Sequence, residues 1–266
     1  MTMHSGLDTI ILLTGPIEAA ALAGVLGVRN PDLDIRHVET RDELNGTDGA
    51  VLSRARLIAF MTDVIVPSPI LDALGYGAYN FHPGPPTYPG WGPAHFAVYD
   101  RAPIFGVTAH EMIGRVDAGT IVDAIMFPVP PGTSVPGLEQ MAFVALAQLF
   151  SNLAPKLTLA GPLAELPIEW RGPKRTQRQY RELQAVPATI SKDDLDRRIA
   201  AFGKAYLGDG LTITLHGHQF RYIAPDAKPP VDAPADISQI IPLKRTAKRP
   251  SARTLKHSAA RKATAT

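Results

Sequence analysis

The chain has 266 residues, 45% hydrophobic and 20% charged, the composition of a globular protein with room for one main domain and a smaller appendage. It contains no cysteine, which excludes disulfide scaffolds, zinc–thiolate sites, iron–sulfur clusters and thiol nucleophiles. The net charge of +2 conceals an asymmetry, because positions 241–266 carry eight Lys or Arg and no acid while the preceding residues hold 19 basic and 25 acidic side chains.

Thr9 to Leu13 is an apolar run ended by Thr14-Gly15-Pro16, and the alanine- and leucine-rich stretch Ile17 to Val28 follows, which predicts strand, turn and helix. Further strands are predicted over Leu33 to Val38, Arg56 to Met61 and Gly77 to Phe81, with a short helix over Pro67 to Leu74. Gly106 to His110 and Thr120 to Val129 are the next strands, and Gly137 to Leu153 is an apolar helix suited to covering a sheet. Strands alternating with helices predict an α/β fold with a mostly parallel, Rossmann-like sheet and ligands at the carboxyl ends of its strands. The first turn lacks GxGxxG and the chain lacks GxxxxGK[ST], so no dinucleotide or P-loop site is expected.

Residues 161–190 read as a basic, proline-containing connector without periodicity. Ser191 with Asp193 and Asp194 caps a predicted helix carrying Leu195, Ile199 and Phe202. A hairpin is predicted to follow, from Leu211 to Ile223 around His216-Gly217, so that 191–225 forms a small helix-plus-hairpin module. Residues 226–266 read as a linker and a disordered basic tail. No run reaches the roughly 18 apolar residues of a membrane span. Met1 to Asp8 lacks the features of a secretory signal, so a cytoplasmic protein without membrane contact is expected.

Chemistry-bearing residues concentrate between Asn80 and Gly119. Strand alternation puts Asn80 and His82 on one side, a loop rich in proline and glycine runs from Gly84 to Pro93, and Asp117 lies in Val116-Asp117-Ala118-Gly119. An Asn, a His and an Asp gathered at strand ends suit acyl transfer: the amide donates to a developing oxyanion, the imidazole carries a proton or charge, and the carboxylate orients or accepts. A strand histidine beside a proline also serves as a purely structural hydrogen-bonder. His95 and His110 are candidates for the acceptor site, with backbone satisfaction as the alternative. Tyr88 and Trp91 read as packing for the proline loop. No metal is expected, because the histidines lack carboxylates at ligand spacing.

These motifs, Asn80-Phe81-His82-Pro83, Gly90 with Pro93, Gly106-Val107-Thr108 and Asp117-Ala118-Gly119, resemble in order those of the folate-dependent formyltransferases, a family that includes methionyl-tRNA, glycinamide ribonucleotide and sugar N-formyltransferases. The resemblance implies the formyltransferase fold and formyl transfer from 10-formyltetrahydrofolate to an amine. Asn80 and His82 would hold the oxyanion, and Asp117 would assist removal of the proton from the attacking nitrogen. It also implies folate contacts from Asp63, Val64, Ile65 and Val66 and from Val116 and Gly119. The run Gly84-Pro85-Pro86-Thr87 stands where the family has Ser-Leu-Leu-Pro, and Asn80 comes earlier than in typical relatives, which implies a trimmed N-terminal sheet. The His-Pro-Gly-Pro-Pro run also resembles the formyltransferase-like part of a hydrogenase-maturation protein.

The expected acceptor is an amine of a small molecule, such as a nucleotide-linked amino sugar. The alternatives are a methionyl-tRNA enzyme with a shortened C-terminal domain, a formyltetrahydrofolate hydrolase, and a non-catalytic folate-binding module. The basic tail keeps tRNA as a second partner through charge density alone.

Overall fold

The computed structural model describes residues 6–204 and 210–225. In chain order the elements are β1 (Thr9–Leu13), α1 (Pro16–Arg29), β2 (Asp34–Val38), α2 (Arg41–Asn45), α3 (Gly49–Leu52), β3 (Ala55–Phe60), α4 (Ser68–Ala73), β4 (Ala78–His82) and α5 (Pro93–Tyr99). They continue with β5 (Ile104–Glu111), β6 (Ile121–Pro128), α6 (Val135–Leu157), α7 (Gln177–Gln184), β7 (Ala185–Val186), α8 (Lys192–Phe202), β8 (Thr212–Leu215) and β9 (His218–Arg221). The linker and basic tail expected over 226–266 lie outside the described residues.

Six strands form one sheet in the order β2-β1-β3-β4-β5-β6. β2, β1, β3 and β4 are mutually parallel, and β5 runs antiparallel to both β4 and β6. The expected α/β class with a mostly parallel sheet is observed. β3 is buried along its whole length, as a central parallel strand covered on both faces must be. Alternation divides the apolar side chains. Ile10, Leu12, Phe60 and Phe81 pack beneath α1 and α6, while Ile11, Leu13, Leu57 and Ala59 pack with Leu44, Leu52 and Leu74 on the opposite face.

That same alternation positions the polar residues. Phe105, Val107 and Ala109 of β5 join Tyr79 and Phe81 of β4 in the first cluster, so Thr108, His110, Asn80 and His82 point the other way. The register sets Asn80 opposite His110 and His82 opposite Thr108. Four polar side chains therefore share one patch at the carboxyl end of β4.

The structure adds two features beyond the sequence expectations. The Pro- and Gly-rich run to Pro93 leads directly into α5, a helix opened by a proline at its first position, where a missing N–H costs nothing. The connector is also not featureless. Its backbone pairs with the proline loop through Arg171 N to Pro86 O at 2.8 Å, Arg175 N to Pro89 O at 2.8 Å and Trp91 N to Arg175 O at 3.0 Å. It then enters α7 through a Thr176–Gln179 capping box. Pairing through main-chain groups leaves no side-chain period to read. β7 adds itself in parallel to β8, so the helix-plus-hairpin module carries a third strand. Phe96 of α5, Tyr180 of α7 and Phe202 of α8 close a third apolar cluster.

Candidate active site

Asn80, His82 and Asp117 come together. Asp117 is buried in the turn after β5 with φ of 46°, a left-handed conformation that a non-glycine residue adopts at a cost and that recurs at functional sites. Its Oδ2 accepts from the Gly90 backbone N–H at 2.7 Å and lies 3.6 Å from His82 Nδ1, while Oδ1 lies 3.3 Å from His110 Nε2. Asn80 Nδ2 is 3.2 Å from the same His110 nitrogen.

Hydrogen-bond partners fix the ring protons. The Tyr88 carbonyl 3.1 Å from His82 Nε2 can only accept, so Nε2 carries hydrogen and Nδ1 of the neutral ring presents its lone pair toward Asp117. The Glu111 carbonyl 2.8 Å from His110 Nδ1 assigns that proton in the same way. A neutral His110 then accepts from Asn80, and a charged one donates to Asp117.

Burial pushes the His82 pKa down; Asp117 and the Tyr88 carbonyl oppose the shift, and His110 adds to it. Burial pushes Asp117 up, yet His82, His110 and the Gly90 N–H outweigh it and hold the carboxyl at about 2. At neutral pH the pair is an ionised carboxylate beside an uncharged imidazole.

The loop geometry depends on glycine at two places. A Cβ on Gly90, whose φ is +95°, would fall 2.1 Å from the Arg175 carbonyl oxygen, and one on Gly84 would fall 2.6 Å from His82 Nε2. The second contact accounts for glycine directly after His82-Pro83. The hydroxyl of Thr108 donates to the Gly84 carbonyl at 2.8 Å, tying the loop to β5.

The residues expected to contact folate divide. Asp63 and Ile65 face outward at the carboxyl end of β3, Val66 is buried, and Val64 is half-buried against the second apolar cluster. Val116 is exposed beside Asp117, whereas Gly119 is buried and its carbonyl accepts from the Trp170 indole at 2.8 Å. Exposed Met61, Ile65, Ile113 and Val116 give the two neighbouring loops an apolar rim.

Sequence reasoning assigned no role to Trp170. Its ring meets His110 edge-on at 5.0 Å and His82 at 5.8 Å between centroids. The signal was weak, a lone tryptophan in a connector without periodicity. His110 joins the cluster, while His95 does not and instead lines a cavity between α5, α6 and α8. Trp91 packs on Tyr180 at 4.8 Å, as a packing role requires.

No protein-family model matches the chain. The methionyl-tRNA formyltransferase of Moorella thermoacetica is 30% identical over 199 residues, 68% of this chain and 62% of that protein. The methionyl-tRNA formyltransferase of Geobacillus sp. is 32% identical over 155 residues, 54% of this chain and 48% of that protein, so the chain spans about half the length of curated relatives it matches. Among solved structures, a 4-N formyltransferase from Francisella tularensis superposes with a TM-score of 0.67 at 13% identity, covering 85% of this chain and all of that one. The formyltransferase PseJ from Anoxybacillus kamchatkensis, solved with UDP-4,6-dideoxy-4-formamido-L-AltNAc and tetrahydrofolate, superposes at 0.55 with 17% identity over 71% of this chain and 96% of its own. The chain is thus similar in sequence to methionyl-tRNA formyltransferases and shares its fold with sugar N-formyltransferases.

Proposed function

We propose that this chain moves a formyl group from 10-formyltetrahydrofolate to an amine of a small molecule in the cytoplasm, with a nucleotide-linked amino sugar as the acceptor class. The observation that carries the reading is the convergence of Asn80, His82 and an ionised Asp117 at the carboxyl end of β4. The acceptor class is supported by the fold shared with PseJ, which was solved with a nucleotide-linked formamido sugar.

The donor's pterin would lie along the backbone of Asp63 to Val66 and beside Val116. The exposed apolar rim of Met61, Ile65, Ile113 and Val116 fits a flat, partly apolar ring system. When bound, the folate supplies an activated formyl carbon. The chain supplies the rest. The Asn80 amide is a fixed donor for the oxygen that gains negative charge. Asp117 receives the proton leaving the amine, directly or through water, because its oxygens are held by Gly90 and the two histidines. A proton on His82 Nδ1 turns that ring into a cation clamped between the Tyr88 carbonyl and Asp117, adding a charge beside Asn80. The Trp170 indole packs edge-on against both rings and restrains their orientation.

Tetrahydrofolate release tests the reading when measured with nucleotide-linked amino sugars, with charged tRNA, and with no acceptor. Release that requires the sugar and is absent in His82→Ala is the expected result. Release that requires tRNA would move the acceptor to the methionyl-tRNA class favoured by the sequence relatives, release without acceptor would establish a hydrolase, and none in any arm would leave a binding module.

A further inference from the structure

A cavity of about 840 Å3 lies between α5, the loop preceding α6, the first turns of α6 and α8. Its volume is within the roughly 300–1,000 Å3 typical of small-molecule sites. None of Asn80, His82 or Asp117 lines it. Its walls are largely apolar, with Val98, Pro103, Val129 and Ile199 among them; His95 and Glu139 also line it, with Arg101, Asp196, Arg197 and Lys204, of which Asp196 pairs with Lys192 and Lys204 makes no ion pair with Glu139.

Glu139 Oε1 lies 4.0 Å from His95 Nδ1, beyond hydrogen-bond length, and no lysine or arginine pairs with Glu139 among the described residues. The arginines on the rim are committed elsewhere, Arg101 to Asp193 and Arg197 to Asp193 and Asp194. The ring of Tyr180 abuts His95 at 5.1 Å, and its hydroxyl, in a side chain 1% exposed, has no hydrogen-bond partner. Burial holds His95 at about 4 and pushes Glu139 up, and burial together with Glu139 pushes Tyr180 to about 12. The neutral imidazole cannot compensate the carboxylate. The chamber thus holds one carboxylate, its side chain 38% exposed, that has no ion-pair partner within hydrogen-bond length among the described residues, and a protonated nitrogen would pair with it.

We propose that this cavity is a second binding site, separate from the Asn80, His82 and Asp117 cluster, for a small molecule with an apolar body and a protonated amine head that pairs with Glu139. The occupant is compact, because the chamber is closed on one side by α8.

Calorimetric titration of phenethylamine into the full chain tests this, with Glu139→Gln, Ala200→Phe and Asp117→Asn as variants and phenethyl alcohol as the uncharged control. Ala200 lines the cavity on an exposed position of α8, so the larger ring fills the space without entering the core. The expected result is saturable amine binding, about tenfold or more weaker in Glu139→Gln and with the alcohol, lost in Ala200→Phe and retained in Asp117→Asn. Undiminished binding in Glu139→Gln, loss in Asp117→Asn, or no saturable binding at millimolar amine would overturn the proposal. Glu139→Gln changes no volume, so it decides the question even where Ala200→Phe fails to fold.

Discussion

The indole of Trp170 stands edge-on to His110, ring centroids 5.0 Å apart at 85°, while its N–H is bonded to the Gly119 carbonyl two residues after Asp117. One side chain from the connector therefore touches a histidine of the cluster and restrains the turn that presents the carboxylate. Trp170→Phe keeps an aromatic edge and deletes the hydrogen bond, worth about 1 kcal/mol net. The expected result is a kcat for formyl transfer lowered about tenfold, since sub-ångström displacement of a reacting group is costly, with KM for the folate little changed. Steady-state kinetics on the two substrates check this, and an unchanged kcat would remove Trp170 from the positioning machinery.

Asp117→Asn retains an oxygen for the Gly90 N–H and loses the charge. Formyl transfer is expected to fall by about 10²–10⁴-fold, the usual contribution of a positioned proton acceptor, while the melting temperature shifts by only a few degrees. Kinetics and thermal melting on the same preparation separate the two effects.

Stability should decline on acidification in two steps. His82 and His95 are held below their ordinary value of 6.5, so the folded chain binds fewer protons than the unfolded chain once the pH drops below 6.5. Their contribution is complete above 6.5 and is lost as the pH falls, for His95 down to about 4. Asp117 adds stability that is present above 3.8 and disappears as the pH approaches 2. Urea midpoints between pH 7.5 and about 4 should slope downward below 6.5, and His95→Phe should flatten part of that slope.

Arg56 is fully buried in β3, and its guanidinium donates to the carbonyls of Tyr76, Leu157, Leu159 and Gly161 at 3.1, 2.6, 2.8 and 2.7 Å. It satisfies the carboxyl end of α6, which would otherwise bury unbonded oxygens. Arg56→Ala is expected to cost about 3–5 kcal/mol. Arg56→Lys should recover little, because an ammonium lacks the planar fork. Chemical denaturation of both variants measures the difference.

The strands of the main sheet were legible because each is a short apolar run between turn residues, and the motif residues were legible because β4 alternation fixes which side Asn80 and His82 share. Arg56 read only as the start of a strand, since nothing local reveals that the end of α6 arrives about a hundred positions later. α5 was hidden by the prolines and glycines before it, and the roles of Trp170 and Arg175 by the absence of any side-chain pattern in a segment that pairs through its main chain. The Arg56 and connector contacts escaped because they are long-range, and α5 because its local composition reads as loop.

The pairing of Arg171 and Arg175 with the proline loop has a bearing on modularity. A deletion ending after α6 would spare Asn80, His82 and Asp117 and still remove the indole above the imidazoles, the backbone partner of Trp91 and the tyrosine that packs on it. The candidate site is assembled from stretches on both sides of α6. Exchanging C-terminal segments between relatives would therefore reshape the mouth of the candidate site as well as the graft, and the connector, more than the module beyond it, is the piece that has to travel with its own loop.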